Sequence, residues 1–260
     1  MNVLPPGTLL QLMYLQERIQ QIPSGHFFEI GPGSGEITQL LIDHGWTGCS
    51  YDLDARTIEN LKIRFAKEIA QQRFIAVNDD FLASHSTEKV DLVISSMVME
   101  HLENDTQISF MNKSAEYLRK SGMMITIVPS SPAHWGIEDD IAGHYRRYTR
   151  ESFQSLTTLC NWKLLHSASR TFPISNILLP VSNFLVNRHE RTKLALSHLD
   201  RTKLSGRRQV KFKTYFPSIF GILINKYTLY PMYLLQKLFI KSERALVLYV
   251  ELRPSHGVSE

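Results

Sequence analysis

The stretch Phe27-Phe28-Glu29-Ile30-Gly31-Pro32-Gly33-Ser34-Gly35-Glu36-Ile37-Thr38 constrains this chain more than any other. A short apolar strand, 26–30, runs straight into a cluster of three glycines. Ile37, Leu40 and Leu41 then take up helical spacing. Glycine lets a backbone turn tightly and come close to another molecule. The first turn of the helix that follows leaves N–H groups free to meet polar atoms. Pro32 has no N–H to give, so Gly33 and its neighbours are the donors. A strand, a glycine turn and a helix in this order form the ligand-binding opening of doubly wound α/β folds.

The rest of the first 170 residues keeps the same rhythm. An amphipathic helix over 6–22 carries Leu9, Leu12, Met13, Leu15 and Ile19 and ends at Ile22-Pro23-Ser24-Gly25. Strands are expected at 47–52, 73–77, 90–95, 123–128 and 162–168. A helix capped by Asp54 carries Ile58, Leu61, Phe65 and Ile69. A second helix spans about 105–120, and a third, capped by Thr149, spans 150–160. Strands separated by such helices predict a mostly parallel, doubly wound, seven-stranded sheet of Rossmann-like type. Right-handed crossovers would then bring all strand C-termini to one edge. After Arg170 the rhythm breaks, and it resumes only with a last strand at 245–252. Residues 1–170 and 241–260 are therefore expected to form one domain, with 171–240 as a helical insertion between the last two strands.

Composition narrows the setting. No stretch reaches the roughly 18–20 uninterrupted apolar residues of a membrane span. The opening residues lack the basic region and small-residue cleavage site of a secretory leader, so a cytoplasmic protein is expected. Cys49 and Cys160 have neither metal nor redox spacing and read as buried free thiols; no metal is expected. The net charge is +4. Nine Lys/Arg against Glu190 and Asp200 give 188–213 a charge of +7, which leaves −3 for the remainder. The basic character is thus local and concerns partners rather than fold.

Two kinds of ligand compete for the glycine turn. A dinucleotide fingerprint G-x-G-x-x-G read from Gly31 requires glycine at 36, where this chain has Glu36, an awkward charge beside a pyrophosphate. The observed acid-x-G-x-G-x-G, from Glu29 to Gly35, resembles the first motif of class I S-adenosylmethionine-dependent methyltransferases. Three further segments follow in that family's order. These are Ser50-Tyr51-Asp52-Leu53-Asp54, Val77-Asn78-Asp79-Asp80-Phe81, and Val90 to Asp105 with its Glu100-His101 pair. The Asn/Asp-Pro-Pro-aromatic motif of amino-group DNA methyltransferases is absent from the end of the fourth strand.

The resemblance implies S-adenosylmethionine as cofactor, held by Glu29, Gly31, Gly33, Gly35, Asp52, Leu53, Asp80, Phe81 and Ser95. Asp52 would take the ribose hydroxyls and Leu53 the adenine, with Asp80, or Asp79 in its place, and Phe81 at the adenine amino group and ring. Ser95 and Ser96 would lie beneath the cofactor, and Glu100 and His101 at its methyl end. Related enzymes also place a substrate-capping loop where this chain has His144-Tyr145-Arg146-Arg147-Tyr148. The expected catalytic residues are His101 as base, His144 as its alternate and Tyr145 as orienting partner. Arg146 and Arg147 equally suit ion pairs with Glu138, Asp139 and Asp140.

The expected reaction is methyl transfer to a small or lipid-like acceptor, at a hydroxyl oxygen. Apolar surface beside a basic run is the composition of an interfacial membrane binder, so 188–213 is a candidate contact with anionic lipid. An equally plain reading packs the insertion on its own body or on a second subunit. Nucleic acid is disfavoured, because the basic run lacks the series of stacking aromatics and the recognition motif that such binding uses. The rival readings are a nonenzymatic S-adenosylmethionine-binding module and, disfavoured by Glu36, a dinucleotide-dependent oxidoreductase.

Overall fold

A computed structural model describes residues 3–206 and 210–255. The strands are β1 (His26–Ile30), β2 (Thr47–Tyr51), β3 (Phe74–Val77), β4 (Val90–Ser96), β5 (Leu118–Pro129), β6 (Trp162–Arg170) and β7 (Val247–Pro254). They form one sheet of order β3-β2-β1-β4-β5-β7-β6. The first five run parallel, whereas β7 is antiparallel to both β5 and β6. Strand C-termini therefore do not all share one edge as expected. The chain returns from its insertion at the end where β6 leaves the sheet, so it can re-enter only by running the other way.

The helices are α1 (Pro6–Ile19), α2 (Glu36–Asp43), α3 (Ala55–Arg64), α4 (Ala66–Ala70), α5 (Asn104–Tyr117), α6 (Ile137–Ala142), α7 (Arg150–Leu159), α8 (Ile174–Glu190), α9 (His198–Ser205) and α10 (Tyr230–Leu238). Asp54 caps α3 by accepting from the Thr57 N–H at 2.9 Å. Thr149 and Ser152 make a reciprocal cap on α7. The helix expected to continue from Asp54 through Ile69 is broken at Phe65. The Phe65 ring is fully buried, 5.1 Å from Phe74 of β3, and seating it there outweighs one more helical turn. The helix expected to reach residue 120 stops at Tyr117, and β5 starts at Leu118. Leu118 pairs with Val90 before the register shifts at Leu92.

Side-chain alternation along the strands divides the core between the two faces of the sheet. Phe27, Leu92, Ile94 and Ile125 pack with Leu15 and Ile19 of α1, Leu41 of α2 and Ile58 and Leu61 of α3. Phe28, Ile30, Val93 and Met124 pack with Phe110 and Met111 of α5 and Phe153 of α7. An ion pair with two contacts, Arg18 to Glu251 at 2.6 and 2.7 Å, ties α1 to β7. Lys237 and Tyr233 of α10 both engage Glu17 of α1. The insertion α8–α10 is thereby anchored to the body of the domain.

Phe27 lies fully buried on the central strand, stacked 6.4 Å from Phe74. Phe27→Ala removes that burial and leaves a cavity the rigid sheet cannot close. The expected cost is about 3–5 kcal/mol in urea unfolding; a loss below about 1 kcal/mol would show that the core relaxes around the gap.

Candidate functional site

The turn after β1 is built around a buried acid. Glu29 sits on the α1/α2 side of β1, almost without exposure. It accepts hydrogen bonds from Thr38 Oγ1 of α2 at 2.5 Å and Ser50 Oγ of β2 at 2.9 Å. Burial raises its pKa to about 7, against the pull of those two donors. Glu29 therefore braces the turn from below and does not line the main cavity. Gly31, Gly33 and Gly35 all have positive φ. Gly31 donates its N–H to the Tyr51 carbonyl at 3.0 Å, and a Cβ on it would lie 2.6 Å from Val98 Cγ2. A Cβ on Gly35 would lie 2.7 Å from both Leu61 and Phe65, so this glycine serves the packing of the turn on α3.

Above the turn, at the C-terminal edge of the parallel strands, lies a cavity of about 940 Å³. At one end it is lined by Gly31, Gly33, Asp52, Leu53, Asp80 and Phe81, all expected from the sequence. Asp52 follows β2 directly, and its Oδ1 accepts the Asp54 N–H at 2.8 Å. Asn78 holds the Asp52 carbonyl at 2.9 Å. Asp80 Oδ1 accepts the Leu82 N–H at 2.9 Å, so part of its capacity is spent inside its own loop. Ser95 is not among the lining residues. It is fully buried on the α5 side of the sheet, 3.1 Å from Thr126 Oγ1, while its neighbour Ser96 lines the cavity. One position along a strand exchanges the two faces.

The other end of the cavity gathers Glu100, His101, Asp139, His144 and Arg147. Glu100 and His101 lie in a single helical turn after β4. His144 follows Gly143, whose positive φ ends α6. The two imidazoles meet edge to face with centroids 4.8 Å apart. His144 Nδ1 lies 2.8 Å from Asp139 Oδ1, and its Nε2 lies 3.8 Å from Glu100 Oε1. Asp139 is fully buried, also accepts from Arg147 Nε at 2.8 Å and the Gly136 N–H at 2.9 Å, and its pKa is lowered by its His144 and Arg147 partners despite burial. His101 Nδ1 is 3.2 Å from the Gly143 carbonyl and 3.3 Å from Thr202 Oγ1. Burial and the neighbouring His144 lower the His101 pKa to about 3, so it is neutral at physiological pH. Glu100 is fully buried, neither carboxylate oxygen has a hydrogen-bond partner among the described residues, and burial raises its pKa to about 7.

Tyr145 is placed differently from the expectation. It is half exposed, does not line the cavity, stacks on His198 with centroids 4.2 Å apart and donates to Glu103 at 2.9 Å. Its backbone does contribute, because its N–H donates to the Glu100 carbonyl at 2.8 Å. Arg147 makes the expected ion pair with Asp139, but Arg146 instead holds the Leu102 carbonyl and Asn104 Oδ1. These bonds clamp 144–147 onto the loop after β4. Sequence reasoning gave no site role to Asp139. It also missed Leu4, Gly7, Thr8 and Gln11 near the start of the chain and the α8 residues Leu178, Val181, Ser182 and Leu185, which border the cavity. The Asp139–His144 spacing is the one local signal for the first of these.

An open α/β sheet with one reversed strand, a glycine turn after β1 and acids after β2 and β3 defines a binding site for a nucleoside-containing ligand at the strand edge. The comparisons with known proteins specify the class. A family model described as a methyltransferase domain matches residues 11–167, and the chain belongs to that family. Uncharacterized methyltransferases of Bacillus thuringiensis (strain Al Hakam) and Bacillus mycoides (strain KBAB4) are each 28% identical over 103 residues, 39% of this chain. The match spans 45% of those relatives, about half their length. Among solved structures, the glycopeptide N-methyltransferase MtfA complexed with S-adenosylmethionine superposes with a TM-score of 0.51 at 14% identity, covering 61% of this chain and 79% of that one. The N-methyltransferase NodS from Bradyrhizobium japonicum WM9 gives 0.50 at 19%, covering 63% and 78%. The mitomycin 7-O-methyltransferase MmcR gives 0.50 at 12%, covering 62% and 50%. At these identities the likeness is one of fold.

The buried Glu29 makes stability depend on pH. Its pKa rises on folding from the model-peptide range to about 7. The folded state therefore holds the proton more tightly, and its share of stability is full at pH 4 and lost as pH rises to about 7. A change from 4.5 to about 7 is worth about 3 kcal/mol. Glu29→Gln is expected to raise the melting temperature relative to wild type more at pH 8 than at pH 5; an equal difference at both would refute the assignment.

Proposed function

We propose that the protein transfers the methyl group of S-adenosylmethionine to the hydroxyl oxygen of a small or lipid-like acceptor. The carrying observation is that one cavity runs from the glycine turn to the histidine pair, with room for donor and acceptor together. The residues present fit the donor. The turn after β1 excludes a side chain at Gly31 and so leaves bare backbone beside the cavity. Gly31 and Gly33 would hold the amino-acid portion, Asp52 the ribose, and Leu53, Asp80 and Phe81 the adenine. Ser96 takes the place expected for Ser95, and Glu29 and Gly35 act by shaping the turn. Glu36, paired with Arg64 at 2.7 Å, leaves no site for a pyrophosphate at the start of α2.

The bound sulfonium supplies an already activated methyl group. What this chain adds is alignment, which can lower such a barrier by about 7–11 kcal/mol, and proton removal. His101, neutral at working pH, accepts the acceptor's hydroxyl proton. The methyl group would pass to the acceptor oxygen as its bond to sulfur breaks, with that electron pair left on sulfur. His144, oriented by Asp139, supports His101 edge to face. Glu100 borders the pair, with Oε1 3.8 Å from His144 Nε2. Calorimetry with S-adenosylhomocysteine and with NAD(P) tests the donor: binding of the first and not the second is expected. His101→Ala should then lower kcat about 100-fold or more with unchanged affinity for the product; near-normal turnover would remove His101 from the mechanism.

The acceptor's character is read from the roof of the cavity. Leu178, Val181 and Leu185 of α8, with Phe212 and Phe216, give it an apolar ceiling, and Lys203 and Lys213 border it. This supports 171–240 as a lid over a lipid-like acceptor and 188–213 as its contact with anionic membrane. Within that segment Arg207 and Arg208 lie outside the described residues. Among the described residues no helix is long and apolar enough to cross a membrane. Sedimentation with phosphatidylglycerol vesicles at low salt should carry the protein down, and phosphatidylcholine vesicles should not. Equal recovery in both supernatants would end the membrane reading.

A further inference from the structure

We propose that Glu100, His101 and His144 form a binding site for a divalent first-row transition-metal ion at the acceptor end of the cavity. Each residue offers one ligand atom, and these atoms all lie within 4.8 Å of one another. Two ligands about 2.1 Å from a tetrahedral ion sit about 3.4 Å apart. The His144 Nε2 to Glu100 Oε1 separation is already 3.8 Å, so small side-chain rotations close the set around an ion.

Three further observations distinguish this cluster from a chance gathering. The first is the state of Glu100. It is a fully buried carboxyl group lining the cavity, and neither oxygen has a hydrogen-bond partner on any other described residue. A buried acid without donors is costly, and a bound cation supplies the missing partner. The second is the outer support of the imidazoles. His144 Nδ1 is held by the Asp139 carboxylate at 2.8 Å, and His101 Nδ1 by the Gly143 carbonyl at 3.2 Å. Acceptors at Nδ1 keep the proton there and leave the lone pair on Nε2, which is how metal-binding histidines are oriented. Asp139 is itself fixed by Arg147 and the Gly136 N–H. The third is access. All three residues line the cavity, so an ion held by them keeps open positions toward its interior.

Two imidazoles and one carboxylate select zinc, cobalt, iron(II) or manganese over calcium or magnesium. For what the ion does, the inference rests on the methyl-transfer reading. A metal-bound hydroxyl loses its proton to solvent at lower pH than a free one, so with the ion bound His101 would be a ligand and the ion would take over from it the activation of the acceptor's hydroxyl. Whether the ion binds does not depend on that reading.

The test uses the full chain, freed of metal by dialysis against a chelator and titrated with cobalt(II) and with zinc(II). Visible absorption reports cobalt ligation, and calorimetry reports zinc affinity and stoichiometry. One ion per chain is expected. Glu100→Gln and His144→Ala should each weaken binding at least 100-fold, and Asp139→Asn about 10- to 100-fold without touching the ion. His44→Ala, a surface histidine hydrogen-bonded to the Leu40 carbonyl, should leave binding unchanged. Far-UV circular dichroism and retained affinity for S-adenosylhomocysteine check that the variants fold. No binding by wild type, or binding that Glu100→Gln and His144→Ala leave intact, overturns the site. If the ion binds and S-adenosylhomocysteine does not, the donor assignment fails and the metal site stands. If the homocysteine compound binds and no ion does, the reverse holds.

Discussion

Three elements of this protein meet at one carboxyl group. Glu29 at the end of β1 is held by a hydroxyl from α2 and another from β2. Through these bonds the strand, its following helix and the neighbouring strand are locked in one relation. The glycine turn is the only covalent path between two of them, and it is left with little freedom. The close approaches at Gly31 and Gly35, to Val98 and to Leu61 and Phe65, follow from that lock. At Gly31 and Gly35 the packing leaves no room for a side chain, and Gly31 presents bare backbone to the cavity. Keeping an acid out of water at this point has an electrostatic cost, which the two donors offset only in part. Strain of this kind at a binding edge is common where geometry must be exact to a fraction of an ångström.

The two ends of the cavity are built by different means. The glycine end belongs to the sheet, with each residue placed by the end of a parallel strand. The histidine end is assembled from two loops, one after β4 and one after α6. They are stitched together by the Tyr145 N–H to the Glu100 carbonyl and by Arg146 to the Leu102 carbonyl. Asp139 anchors the second loop by meeting Arg147, His144 and its own helix start at once. A group with this many partners is a positioning residue: it sets where His144 points. One end is thus fixed by the sheet, while the other is held by clamped loops that can vary without disturbing it.

Much of this was legible in the residues, and the failures have physical causes. Strand positions, the glycine turn, the caps at Asp54 and Thr149 and the helical insertion follow from periodicity and local chemistry, which act within a few residues. The sequence places both Ser95 and Ser96 beneath the cofactor, because the end of a strand does not announce which face its last residues take; only register against β5 separates them. The break at Phe65 and the early start of β5 answer to packing against β3 and pairing with β4, contacts made at a distance. Asp139 looked like one acid among three in a charged loop. Its role appears only when α6 folds it under His144. Tyr145 looked like a site residue because it adjoins His144, yet neighbouring residues in a loop point in different directions.

The reversed strand has a consequence for how such a chain can change. Arg170, where the insertion departs, is paired with Val247, where it returns. Seventy-odd residues thus leave and re-enter the sheet at two points that are already neighbours in it. Closing a loop between fixed, adjacent ends costs little more entropy when it is long than when it is short. Lengthening, shortening or exchanging the segment need not disturb a single ladder bond beneath it. Evolution can therefore rewrite what enters the cavity from above as an interchangeable cassette, while the strand edge beneath is inherited unaltered.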